Sequence, residues 1–374
     1  MALVVGGNGV RTKLDKPAPL IINGDMAISQ RSTSVTGIGD GDSGYHTIDR
    51  FRFEEGNTPA AVWTMTQESL SSGNAYNAGF QKALKMDCTT SDDLSNHGDI
   101  LNVIKYATEQ RDTHLFKKGT SNAEKYTVAF WIKATKTGTH TCELRDSTND
   151  RAVSVAYTVS SSDTWEHKVL NFPADTTGAT GTGTTKGLEI YWCLHHGGNY
   201  GSGSALQTAW GGSATNARYK GQVNNADSTS NNWHLTGVQL EVGEYDATTI
   251  PPFQHETYSD NLTRCMRYCQ HIVSGNHKLI SYAHWASGSQ ITFILNILEM
   301  RDVPTIDYDN GNDYWAIGGS SGSTNTIDSL IIDGYSTNKC VGLYSGTAAG
   351  GTTGYAYYGF SDNASARLAL VSEL

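Results

Sequence analysis

A few aromatic side chains in this chain are placed where they could do chemistry. Tyr200 and Trp210 lie in a Gly/Ser/Asn/Ala stretch with no strand pattern, and Trp315 follows Tyr314. Tyr355 and Tyr357 are two apart, so they share one face of an extended strand, with Tyr358 beside them. Such rings can lie on the CH faces of a sugar while Asn, Asp, Gln and Thr side chains take its hydroxyls, a few placed polar groups giving specificity. Tyrosines serve equally well in contacts between copies of a chain. Sugar stacking and self-association are therefore both open at Tyr200, Trp210, Trp315, Tyr355 and Tyr357. Trp131 and Tyr191 sit on strands, where packing against an opposing sheet competes with a platform role.

Other constellations are weaker. Gly39-Asp40-Gly41-Asp42-Ser43-Gly44 spells GxGxxG, but it opens no helical pattern, and its two carboxylates would repel a pyrophosphate. Asp307-Tyr308-Asp309-Asn310-Gly311-Asn312-Asp313 gathers the hard oxygen ligands that calcium takes. Its glycine comes one residue early for an EF-hand, and position twelve is Gly318, so a solvated turn is the expectation. No metal site is assigned, and a structural calcium stays open. His195 and His196 would point to opposite faces of a strand and so could not share one metal. There is no GxSxG elbow and no Cys beside a plausible His partner. Carboxylates such as Glu143 and Glu189 could in principle serve glycoside hydrolysis, but spacing alone cannot pair them. The expectation is a chain with no catalytic residue, no enzyme activity and no cofactor.

The composition narrows the classes. The chain has 374 residues and a net charge of -10, with only 17% charged residues, 40 glycines, 19 tyrosines and eight tryptophans. Disorder is excluded because disordered chains are aromatic-poor and highly charged. Nucleic acid is disfavoured as a partner because phosphate contacts need clustered Lys and Arg. No apolar run approaches the ~20 residues that cross a bilayer, so no membrane insertion is expected. Met1 to Val10 carries no signal-peptide pattern. The six cysteines are too sparse for a disulfide scaffold and read as reduced core residues.

Short alternating runs separated by Gly, Asn, Asp, Ser and Thr indicate a sandwich or barrel. On the run Tyr126 to Lys133, residues Tyr126, Val128, Phe130 and Ile132 share one face; on Gly187 to Leu194, Leu188, Ile190, Trp192 and Leu194 do. Further strands are expected at about Arg151–Val159, Trp165–Phe172 and Trp233–Val242. Between them His195 to Ser230 reads as a functional loop or excursion. One helical stripe follows the proline-dense point Pro251-Pro252: Leu262, Cys265, Met266 and Cys269, with Ser259 as N-cap. Beyond it, strands return at about 278–284, 290–298, 305–308, 329–332, 339–344 and 355–360. The expected fold is all-β: a jelly-roll sandwich over 19–256, then one helix and a smaller β domain over 257–374, with 1–18 an extended arm.

Four phrases resemble the tail-fibre and receptor-binding proteins of tailed bacteriophages that carry a jelly-roll domain similar to carbohydrate-binding modules. They are Leu20 to Arg31 with Asp49-Arg50-Phe51; Tyr126 to Lys133 with Thr164-Trp165-Glu166; Leu235 to Gly243 leading to Pro252-Phe253; and Tyr258 to Tyr268 with Ala366 to Leu374. Phe51 departs from the tryptophan frequent at that place, and the 278–358 region matches least. The resemblance implies a virion protein, a homotrimer anchored to other virion proteins through residues 1–18 and binding host surface polysaccharide. A particle decoration or connector without receptor role, and a polysaccharide depolymerase, are the alternatives.

Overall fold

The computed structural model describes residues 3–6, 9–12, 18–39, 41–93, 98–213, 216–286, 290–309, 314–318, 324–345 and 356–374. The expected arm contains a hairpin, β1 (Leu3–Gly6) with β2 (Gly9–Thr12), Leu3 opposite Thr12. Four-residue strands offer too short a pattern for periodicity to reveal.

Twelve strands build the sandwich: β3 (Ser34–Ile38), β4 (Phe51–Gly56), β5 (Val62–Ser69), β6 (Lys82–Thr90), β7 (Leu101–Glu109), β8 (Tyr126–Ala134), β9 (Gly138–Asp146), β10 (Arg151–Val159), β11 (Glu166–Phe172), β12 (Lys186–His196), β13 (Gly211–Gly212) and β14 (Asn232–Val242). One sheet runs β13-β10-β9-β12-β7-β4 and the other β11-β8-β14-β6-β5-β3, with every pair antiparallel. The protein is thus all-β with a jelly-roll type of sandwich. The alternation puts Tyr126, Val128, Phe130 and Ile132 into the core against Leu188, Ile190, Trp192 and Leu194. Phe130 meets Trp192 edge-on at 5.8 Å between ring centroids, a favoured aromatic geometry.

The segment after β12 is the excursion that the glycines announced. It carries the single turn α2 (Gly198–Gly201) and folds over the outer face of the first sheet. There Tyr219 is fully buried on Val103, Tyr191 and Cys193. Tyr191 is therefore covered rather than offered to solvent.

The helix runs Tyr258–Met266 and, after the short helix α1 (Asn74–Asn77), is α3. Its cap is Thr257, not Ser259: Thr257 Oγ1 accepts from the Asp260 amide at 3.2 Å and donates to the Asp260 carboxylate at 2.7 Å. Thr257→Ala should cost about 1 kcal/mol, read as a lowered thermal midpoint. Ser259→Ala should stay within about 0.5 kcal/mol, and the reverse order would refute this cap. Cys269 does not continue the helical stripe, because it already opens the next strand.

That strand is β15 (Cys269–Ser274), followed by β16 (Leu279–Trp285), β17 (Ile291–Asn296), β18 (Thr305–Tyr308), β19 (Trp315–Gly318), β20 (Thr324–Ile327), β21 (Ile331–Ile332), β22 (Cys340–Ser345), β23 (Ala356–Ser361) and β24 (Arg367–Val371). They form a small sheet, β15-β24-β18, and a seven-stranded sheet, β20-β19-β23-β16-β17-β22-β21. The core between them holds Trp285, Phe293, Trp315, Leu343 and Leu368. The chain's last residues then return to the sandwich, where Leu374 packs with Ile22, Ile28 and Tyr268.

Candidate functional site

Among the described residues, the central strands of the seven-stranded sheet are packed on one face and exposed on the other. On β16, Ala283 and Trp285 point into the core while Tyr282 and His284 point out; on β17, Ile291, Phe293 and Leu295 point in while Thr292, Ile294 and Asn296 point out. Tyr282 is 79% exposed, Leu279 58%, Ile294 54% and Tyr358 45%. These residues form one surface. Tyr282 lies directly opposite Tyr358, Leu279 opposite Phe360, and Ile294 opposite Gly342. Contiguous exposed apolar and aromatic faces are where interaction sites are sought.

Glycines shape both ends of the surface. Tyr358 pairs across the ladder with Gly318, and a Cβ on Gly318 would stand 2.5 Å from the tyrosine ring. The ring therefore lies down on bare backbone, an aromatic side chain covering a strand glycine. At the other end a Cβ on Gly342 would meet Asp333 at 3.0 Å, so the turn after β21 folds over that strand. Asp333 Oδ1 accepts from the Tyr335 amide at 2.9 Å, and Ser336 Oγ accepts from the Gly342 amide at 3.0 Å. Tyr335 stands at the tip, 95% exposed.

The aromatics expected from sequence fall elsewhere. Trp315 is fully buried in the core of the C-terminal unit, so it cannot present a ring to a sugar. Trp210 is half-buried against the sandwich core, donates from Nε1 to the Pro173 carbonyl at 2.8 Å and lies 6.0 Å from the Tyr126 ring. It closes the excursion onto the sheet. Tyr200 is half-buried 6.3 Å from Tyr219, with the Arg218 guanidinium 5.7 Å from its ring. Tyr357 turns inward, 5.8 Å from Trp285, while its neighbour Tyr358 turns outward. Tyr355 lies outside the described residues, as do 310–313 of the acidic run. Asp307 of that run is held by Arg367 at 2.7 Å. His195 is buried 3.7 Å from Asp92, and burial pushes its imidazole down to about 4. Among the described residues no three metal-ligating side chains gather.

Two clefts lie away from this surface. One of about 250 Å³ on the outer face of the second sheet is lined by Phe80, Trp131, Gly237, Gln239, Pro251 and Pro252. Trp131 stacks there on His167 at 5.0 Å, leaving the indole half-buried. The other, about 500 Å³, lies where the sandwich meets α3 and includes Glu109, Asp112, Arg111 and Arg267. Burial and the charge of Glu109 raise the Asp112 carboxyl above its usual range. Glu109 itself accepts from Arg111, from Arg267 at 2.6 Å and from Tyr268 at 2.7 Å.

No known protein family matches the chain, and no curated protein does. Among solved structures, 60% of the chain is similar to the enzymatically active domain of tailspike protein 4 of bacteriophage CBA120, at 12% identity and a TM-score of 0.32, and it spans 21% of that chain. A family 61 carbohydrate-binding module in complex with β-1,4-galactotriose is similar over 60% of this chain and 99% of its own, at 8% identity and a TM-score of 0.28. The family 11 carbohydrate-binding module of a cellulosomal cellulase of Clostridium thermocellum is similar over 58% and 99%, at 10% identity and 0.27. At these values the likenesses identify no family.

Proposed function

We propose that this chain is a non-catalytic glycan-binding protein that engages surface polysaccharide through the outward face of its seven-stranded sheet. The observation that carries the reading is the Tyr282–Tyr358 pair, two solvent-exposed tyrosines directly opposite each other on adjacent strands, the ring of Tyr358 lying over Gly318 of the next strand. In a tail-fibre type of adhesin, residues 1–18 attach the chain to its particle and three copies sum weak sites into useful avidity. A decoration protein would pack this face on a neighbouring subunit and would bind no glycan through it.

A glycan array probed with the intact chain tests the reading: bound glycans are expected, and an empty array removes it. Light scattering should give a trimer mass; a monomer would overturn the trimeric part alone. The depolymerase alternative has Asp112 and Glu109 as its acids. Glu109 is already committed to two guanidinium groups and a phenol, the geometry of a structural anchor. Incubation with a bound polysaccharide should release no new reducing ends, and their appearance would make the protein an enzyme.

A further inference from the structure

The outward positions of the four central strands include no Asp, Glu, Lys or Arg. They are Leu279, Tyr282 and His284 on β16, Thr292, Ile294 and Asn296 on β17, and the alternate residues from Cys340 to Tyr344 on β22 and from Ala356 to Phe360 on β23. Charge lies at the margins. Asp333 folds over Gly342 at one end of the surface, Lys339 just before β22 pairs with Glu299 at 3.2 Å, and Lys278 precedes β16 beyond the tyrosine row.

The row itself runs across the strands. Gly318, Tyr358 and Tyr282 follow one another through direct ladder pairs. Tyr282 and Ile294 each lie one residue beyond the Ala283–Phe293 pair, and Ile294 faces Gly342. Neighbouring strands stand ~4.8 Å apart, so the five-strand row extends about 19 Å.

We propose that the ligand of this face is a neutral, unbranched glycan lying across the strands, with pyranose rings on Tyr358 and Tyr282 and hydroxyls reaching Asp333 at the far end. The inference rests on the glycan-binding reading and narrows it to a chemical class. A carboxylated or sulfated chain would lose hydration over the row and find no cation there in return. It would also meet the Asp333 carboxylate. A neutral chain has only hydroxyls to satisfy, and the outward Thr292, Asn296 and His284 supply partners. A branch on the sugar seated at Gly342 would meet the turn that carries Asp333 and Tyr335.

The test is calorimetric titration of the full chain with three probes: polygalacturonate, its carboxyl-reduced neutral form, and linear β-1,4-galactohexaose. Binding is expected for at least one neutral probe and at least about tenfold weaker for polygalacturonate, the equivalent of about 1.4 kcal/mol. Tyr282→Ala and Tyr358→Ala should each weaken neutral binding at least tenfold with unchanged near-ultraviolet circular dichroism. Thr292→Lys should narrow the gap by admitting polygalacturonate. Tighter binding of polygalacturonate than of its reduced form would overturn the neutral class and leave the glycan reading standing. Neutral binding untouched by both tyrosine variants would overturn the site. Binding to none of the three overturns this inference, and the array then decides whether the broader reading fails with it. Self-association that vanishes in the tyrosine variants, with no probe bound, would assign the face to a second copy and overturn the proposal.

Discussion

Arg50→Met should destabilise the folded chain by about 3–5 kcal/mol, as expected when one partner of a buried ion pair is removed. Arg50 is 1% exposed and sits at φ 72, a left-handed conformation that a long side chain adopts only when its surroundings hold it there. Its Nη1 donates to Glu373 at 2.7 Å and its Nη2 to the Ala107 carbonyl at 2.6 Å. Its guanidinium lies 3.4 Å from the centroid of the Tyr268 ring. The substitution strands a carbonyl on β7, weakens the anchorage of the last residues and removes a cation from between two tyrosines. Urea unfolding measures the loss. Arg50→Lys should fall between wild type and Met, since it keeps the charge but not the fork. A loss under about 1 kcal/mol for Arg50→Met would show that the joint does not depend on this residue.

Arg50 also explains why four separated phrases stood out in the sequence. Two of them converge on one polar joint between the sandwich and the C-terminal unit. Asn23, at φ 61, donates from its side chain to the carbonyls of Ile28 and Asp49, while its own amide donates to Asn261. Gln30 reaches Asp49 and the Cys269 carbonyl at 2.7 Å, and Arg31 meets Glu373 at 3.1 Å. Arg267 and Tyr268 close on Glu109. The distinctive residues are thus architectural, and the partners that cross the joint lie from 158 to 342 positions away. No local pattern could have paired them.

The strands were legible because alternation reports burial directly, and the core faces of β8 and β12 follow it residue by residue. Sidedness was not. Alternation separates Tyr357 from Tyr358 but cannot say which face another layer will cover. The loop aromatics misled for a related reason. Trp210 and Tyr200 looked free because the Gly/Ser stretch has no strand pattern, yet that stretch lies down on a sheet and makes a small core of its own. Tyr282 was hidden inside an ordinary strand, and only its lack of a covering layer exposes it.

That covering layer yields the second large effect. Arg218→Met is expected to cost about 3–5 kcal/mol, because Glu143 would remain fully buried with its counter-ion gone. Arg218 now binds Glu143 through Nε at 2.6 Å and Nη2 at 2.5 Å, and also reaches the Tyr219 hydroxyl at 3.3 Å. The pair therefore staples the excursion to the sheet, and limited proteolysis between 198 and 222 should accelerate in the variant. The double variant Glu143→Gln with Arg218→Met should recover much of the loss; no recovery would mean that the staple works by packing rather than by charge. Glu189, on the adjacent strand, is the companion case. Burial alone would raise its carboxyl, but Lys105 at 2.8 Å and Ser147 outweigh burial and hold it below the usual carboxylate range. A depressed carboxyl stabilises the fold above its unfolded value, ~4.3, and that contribution is lost as pH falls through the still lower folded value. Acid unfolding should therefore begin below about pH 4 through this ladder, and Lys105→Met should flatten that part of the pH profile. A general acid for glycoside hydrolysis needs a carboxyl raised toward neutrality, and Glu189 is held in the opposite direction, between Lys105 and Ser147.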